Sequence, residues 1–358
     1  MDSNSLIMIK KTALIVGGNG IIGRNLTQYL VGLDNWDVIV TSRSNLNYPT
    51  EATYLSMDLS KVGAAEEHKK QLSEVTHIFY AAYTERKNPY EQSEANLSLM
   101  KHLVNGVEKI ADDLQRVIFI QGGKAYGAHL GFYKTPAFET DLRSITPNFY
   151  YDQEDFLRKA SEGKKWNWTS IRPDIVIGFT IKNPMNLANL IAVYATICKE
   201  EGIPMRFPGS EKAYNVLVNV TGVNILSKAM QWAAENPQAE NEIFNITNGD
   251  VFRWSQVWPK IGEFFGVEVA EPQTFSLEDY MPEKKDLWKT ITEKYNLTDY
   301  QLDELVQWGF GDFIFNVETD AFQDVNKARR FGFHEMNGDS LGIFLETFQQ
   351  LIKEKIIR

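Results

Sequence analysis

The segment Gly17-Gly18-Asn19-Gly20-Ile21-Ile22-Gly23 lies between an apolar β-branched run, Thr12 to Val16, and a stripe of Ile22, Leu26 and Leu30 at helical spacing. A glycine-rich turn between a strand and a helix leaves few folds open. Glycine lets the chain turn tightly and lets a ligand approach the backbone, while the helix N-terminus offers unpaired N–H groups to an anion. The strand before it and the helix after it predict the first unit of a dinucleotide-binding fold.

The rest of the first half supports that frame. Further strand candidates are Trp36 to Thr41, Tyr54 to Met57, Thr76 to Ala81, Val117 to Gln121 and Trp168 to Arg172. Several are continuous apolar runs, as strands buried on both faces should be. Leu97, Met100, Val104 and Val107 mark a helix between the fourth and fifth. The expected architecture is α/β, a doubly wound parallel sheet of Rossmann type with a smaller, mostly helical substrate lobe. Residues 1–178 are assigned to the nucleotide-binding domain, with a strand returning near 216–220, and 179–358 to an interleaved substrate lobe. There Glu242 to Ile246 reads as an isolated strand, and Trp258, Ile261 and Phe265 recur at helical spacing as core.

The chain of 358 residues carries a formal charge of -10, which argues against nucleic acid or an anionic membrane as partner. Its single cysteine, Cys198, excludes an internal disulfide or a cysteine-built metal site and reads as a buried small apolar residue; no metal is expected. No apolar run reaches the roughly 20 residues needed to span a bilayer. Leu6 to Ile9 is too short for the apolar part of a signal peptide, so the expected location is the cytoplasm.

Glycines at 17, 20 and 23 have the spacing of short-chain dehydrogenases, and those at 18, 20 and 23 the general dinucleotide spacing. At the end of the second strand stand Thr41, Ser42, Arg43 and Ser44, with no acid to bind a ribose 2′-hydroxyl. Arg43 can instead hold a 2′-phosphate, helped by serine hydroxyls, so NADPH is the expected cofactor. Gly17, Asn19, Gly20, Ile21, Ile22 and Gly23 form the expected cradle. Ser42, Arg43, Asp58 as an adenine contact, Leu59, Ala82, Tyr151, Val176 and Asn186 complete the expected cofactor set.

The segment NFYYDQED carries a doublet, Tyr150 and Tyr151. A base-type reductase carries a lysine four residues after its tyrosine, on the same helix face. Here that place is taken by Glu154 or Asp155, and a carboxylate raises a phenol's pKa where an ammonium lowers it. The cation must come from elsewhere. The candidate is Lys124, which ends QGGK after the fifth strand, where a short-chain dehydrogenase usually has its serine.

Taken with SR at 42–43, THIFYAAYTER, RPDIVIGF, PMNLAN, YATICKEEG and FPGS, these motifs resemble the progesterone 5-beta-reductase and iridoid synthase family, an atypical branch of the short-chain dehydrogenases. The resemblance implies NADPH-dependent reduction of the carbon–carbon double bond of an enone or enal. It implies Tyr151 and Lys124 as the catalytic residues. Such a reaction places negative charge on the carbonyl oxygen, and a protonated phenol can donate a hydrogen bond to it without acting as a base.

Against the plant members, Tyr83 replaces a pocket tryptophan, Ala125 a histidine and Ser44 a second arginine, and the loop from Tyr126 to Thr140 differs. Steroid or iridoid precursors are therefore not expected to be the natural substrate. Pocket candidates are Tyr83, His129, Phe132 and Met185; His77 reads as a core histidine. A carbonyl reductase or nucleotide-sugar epimerase or dehydratase would need the missing lysine and serine, and a non-catalytic NADPH sensor would not need the tyrosine and lysine. The partner is a small-molecule enone or enal, with homodimerisation left open.

Overall fold

The computed structural model describes residues 10–358, so Leu6 to Ile9 lies outside the described residues. Six strands follow the expected order: β1 (Lys11–Val16), β2 (Trp36–Ser42), β3 (Thr53–Ser56), β4 (His77–Tyr80), β5 (Arg116–Ile120) and β6 (Asn167–Pro173). The sheet has seven strands in the order Glu242–Ile246, β6, β5, β4, β1, β2, β3. Strand β1 pairs in parallel with β2 on one side and β4 on the other. The strand order therefore reverses at β1, and ligands of open α/β sheets bind beyond the carboxyl ends of strands at such a reversal.

Two expectations change. Glu242–Ile246 is an edge strand of the main sheet rather than an isolated strand of the substrate lobe. The segment near 216–220, expected to return to that sheet, instead pairs as Val220–Gly222 with Ile175–Ile177 in a two-stranded sheet. Apolar pattern marks a strand, but it does not name the neighbour a strand will find.

The chain forms two compact units, each assembled from separate stretches. Among the described residues the first contains 10–121, 145–171 and 227–243 and holds most of the main sheet; the second contains 122–144, 172–226 and 244–358. In the first, Leu14, Val16, Ile78, Tyr80, Val117 and Phe119 of the sheet share a core with Met100, Leu103, Val104 and Val107 of the helix Pro89–Glu108. That helix begins with Asn88, whose side chain accepts from the N–H of Tyr90, followed by proline at its first position.

The second unit is built around aromatic rings. Phe207, Trp254, Trp258 and Phe315 lie with all six pairs of ring centroids 5.2–6.1 Å apart. Trp258, Ile261 and Phe265 lie on the buried face of the helix Trp254–Phe265, as their spacing predicts. The helix Leu187–Glu201 is buried from Leu187 through Cys198. Burial pushes the Cys198 thiol up to about 12, which keeps it protonated and unreactive. No helix among the described residues is long and apolar enough to cross a membrane.

Candidate active site

In the first unit the glycine turn is shaped by close packing. Gly17 has φ +95°, and a Cβ there would stand 2.8 Å from the carbonyl oxygen of Ala81, just beyond β4. A Cβ on Gly23 would stand 2.2 Å from the carbonyl oxygen of Gly17. These positions need glycine for the turn itself and for the seating of the helix Ile21–Val31 against it. That helix has no side-chain cap and no acid in its first turn, so its N-terminus suits the pyrophosphate of a dinucleotide.

Ser42 ends β2, and Arg43 is exposed just beyond it. The Asp58 carboxylate accepts from the Ser60 hydroxyl at 2.7 Å and the Ser60 N–H at 3.1 Å. Those bonds hold its pKa below the ordinary carboxylate value and make it the cap of its own turn. Leu59 is buried. Ala82 and Tyr83 follow β4, and both are half-buried.

Asn148 caps the helix Phe149–Ala160, accepting from the N–H of Tyr150 at 3.1 Å, so both tyrosines stand in its first turn. Tyr151 is 7% exposed. Tyr150 packs against Phe149 in a tilted ring contact with centroids 4.3 Å apart, and Phe149 meets Tyr83 at 5.5 Å. The Tyr83 hydroxyl donates to the Glu85 carboxylate and accepts from Gln92 Nε2 at 2.8 Å. Burial and then the Glu85 carboxylate push the Tyr83 phenol well above its ordinary pKa; burial does the same for Tyr150.

Four residues after Tyr150, where a lysine would stand, Glu154 is buried and its charge is offset. Arg158 donates to its Oε1 from Nε at 3.1 Å and Nη2 at 3.0 Å. Gln121 donates to its Oε2 at 3.2 Å and to the carbonyl of Tyr150 at 2.9 Å. Asp155, four residues after Tyr151, is exposed. The carboxylates at the +4 positions are thus satisfied or solvated, with no lysine at either.

Two supporting residues escaped the sequence reading. Asn96 is fully buried; it accepts from the Thr84 N–H at 2.9 Å and donates to the Thr84 carbonyl at 2.8 Å, pinning the chain beyond β4 to the helix Pro89–Glu108. Gln121 ends the expected strand Val117 to Gln121 and opens QGGK, and neither setting names a partner for its side chain. Spacing does not reveal these ties, because Thr84 lies 12 residues from Asn96, and Tyr150 and Glu154 lie 29 and 33 residues from Gln121.

In the second unit Lys124 sits on a single turn, Gly123–Tyr126, flanked by Gly127 at φ +83°. Tyr126 anchors that turn. The Arg172 guanidinium lies 5.1 Å from its ring centre and donates to its hydroxyl at 3.2 Å, and the hydroxyl donates to Asn245 Oδ1. Burial pushes the Tyr126 phenol up to about 12, so it stays neutral. His129 is half-buried, and burial followed by the charge of Lys124 lowers its pKa.

Phe132 is exposed and lines an open cavity of about 670 Å³ with Thr135, Lys212, Glu318 and Asp320. Met185 is exposed. Asn186 is fully buried, caps the helix Leu187–Glu201 and donates to the Gly178 carbonyl at 2.9 Å. Val176 is half-buried and pairs with Thr221.

The sheet, its order reversal at β1 and the glycine turn define the class: a Rossmann-fold protein of the extended short-chain dehydrogenase architecture. A UDP-N-acetylglucosamine 4-epimerase from Methanobrevibacter ruminantium has the same fold, with a TM-score of 0.68 at 15% identity, covering 96% of this chain and 99% of the epimerase.

The chain belongs to the family of the PRISE-like Rossmann-fold domain, which it matches over residues 56–358. It is 33% identical to the (S)-8-oxocitronellyl enol synthase ISY2 of Nepeta racemosa, covering 90% of this chain and 85% of that one. It is 32% identical to the 3-oxo-Delta(4,5)-steroid 5-beta-reductase of Arabidopsis thaliana, covering 90% and 87%. The resemblance drawn from the motifs is thereby borne out.

Proposed function

We propose that the protein is an NADPH-dependent oxidoreductase that reduces the carbon–carbon double bond of an α,β-unsaturated carbonyl compound. The observation that carries this reading is the helix Phe149–Ala160, which presents two tyrosines and has no lysine four residues after either: exposed Asp155 follows Tyr151, and buried Glu154, paired with Arg158, follows Tyr150. Such a helix supplies a phenol O–H donor without the neighbouring ammonium that turns a phenol into a base. The relatives named a steroid 5-beta-reductase and an enol synthase support the same choice.

The residues present fit the cofactor. The uncapped, acid-free N-terminus of the helix Ile21–Val31 takes the pyrophosphate, and Ser42 and Arg43 take the 2′-phosphate. NADPH bound there supplies the hydride that adds to the β-carbon. Tyr151 donates its O–H to the carbonyl oxygen, where negative charge develops, and Lys124 adds positive potential and orients the ligand. Water delivers the proton to the α-carbon.

Turnover of 2-cyclohexen-1-one with NADPH tests this reading by its product. Saturated ketone is the expected result; allylic alcohol, or no turnover of this or any other simple enone, overturns it. Tyr151→Phe is expected to lower kcat on the order of 100-fold, the cost of one donor to a developing oxyanion, with the Kd for NADPH little changed. Tyr150→Phe is expected to be milder, and an equal loss in both variants sinks the assignment of Tyr151.

A further inference from the structure

In the first unit, one side chain ties the glycine turn to the loop after β2. Asn19 Nδ2 lies 3.1 Å from the carbonyl of Asn45, 3.2 Å from Ser44 Oγ, 3.3 Å from Ser42 Oγ and 3.4 Å from the carbonyl of Ser44. Its Oδ1 accepts from the N–H of Asn47 at 3.1 Å. An amide nitrogen has two hydrogens to donate, and these four acceptors all belong to this loop, so the side chain is committed to the protein.

Other contacts hold the same loop. The Tyr54 hydroxyl donates to the Ser44 carbonyl at 2.9 Å, and the Ser42 hydroxyl donates to that carbonyl as well. The Tyr48 hydroxyl donates to the Gly18 carbonyl at 3.0 Å. Leu46 and Val40 pack so closely on Gly18 that a Cβ there would stand 3.1 Å and 2.4 Å from their methyl groups. Arg43 projects from this loop into solvent.

We propose that Asn19 is a positioning residue for cofactor choice: it holds the Ser42–Asn45 loop in the shape that receives a ribose 2′-phosphate. A loop ordered before binding saves the entropy that a loose one loses on closing around the phosphate. This matters more where a single arginine faces the phosphate, because Ser44 contributes a hydroxyl rather than a second guanidinium. The inference rests on the NADPH reading above and extends it to a residue that acts through the loop.

Titration calorimetry on the full chain with adenosine 2′,5′-bisphosphate and with adenosine 5′-monophosphate tests it without turnover. The parent is expected to bind the bisphosphate at least about tenfold more tightly, and Arg43→Ala to remove that preference. Asn19→Ala is expected to weaken bisphosphate binding about tenfold and monophosphate binding less than about twofold. Tyr54→Phe, which removes one outlying tie, should show the same selective loss at about threefold, and it carries the test if Asn19→Ala does not melt cooperatively.

Equal losses on both probes, or no loss on either, overturn the role of Asn19 while leaving the NADPH reading intact. A parent that binds the two probes alike, or an Arg43→Ala protein that keeps the preference, overturns the NADPH reading and this inference with it.

Discussion

His77 lies in β4 with 2% of its surface exposed, its Nδ1 2.8 Å from the Thr76 hydroxyl and its ring edge-on to Trp36. Burial pulls its pKa down to about 4. Between that value and the ordinary 6.5 the unfolded chain binds the extra proton and the folded chain does not, so stability rises with pH across this window and is lost as pH falls through it. His77→Gln is expected to flatten the dependence of urea midpoints on pH from 4 to 6.5, by at most about 3 kcal/mol; an unchanged slope excludes the effect. Asp174 acts in the opposite sense. Burial raises its carboxyl to about 7, so the folded chain keeps a proton that the unfolded chain releases near pH 4, and stability falls as pH rises toward 7. Asp174→Asn is expected to make the same urea midpoints less sensitive to pH between about 4 and 7, and an equal sensitivity in parent and variant refutes this. The role of His77 was legible because it interrupts an apolar strand. The surroundings of half-buried Asp174 were not, because they are assembled from distant segments such as Thr221, whose hydroxyl accepts its N–H.

At the scale of one element, the helix Phe149–Ala160 joins stability to chemistry. Its cap, Asn148, closes the turn that presents Tyr150 and Tyr151, so Asn148→Ala is expected to cost about 1 kcal/mol in urea unfolding and to lower kcat as well. Stability loss with full activity would separate the cap from the site. Glu154 is 3% exposed, whereas Arg158 is 48% exposed. Arg158→Ala leaves that carboxylate short of a partner at a cost of about 1–2 kcal/mol, discounted for the exposure of the arginine. Glu154→Gln in the same protein is expected to restore part of the loss by removing the buried charge, and no restoration in urea unfolding would refute this account. The pairing of Glu154 with Arg158 can be read from their spacing. The bonds from Gln121 cannot, because they require β5 to end beside the first turns of this helix.

For the molecule as a whole, stability is expected to rest on two separate cores. Trp258→Ala opens a cavity among the rings of the second unit and is expected to cost about 3–5 kcal/mol, read from the urea transition of that unit. A cost below about 1 kcal/mol would mean the ring cluster collapses to fill the space. Local pattern determined the β-α alternation, the first six strands, the glycine turn and the Trp258 face, since each depends on residues within a few positions of one another. Family membership was legible for the same reason, through short motifs such as NFYYDQED. Only the tertiary structure decided that Glu242–Ile246 joins the main sheet, that Glu154 is offset rather than opposed to the tyrosines, and that Asn19 is spent on the loop beyond β2. Each of these depends on segments far apart in the chain, where hydrogen bonding and burial, not spacing, choose the partner.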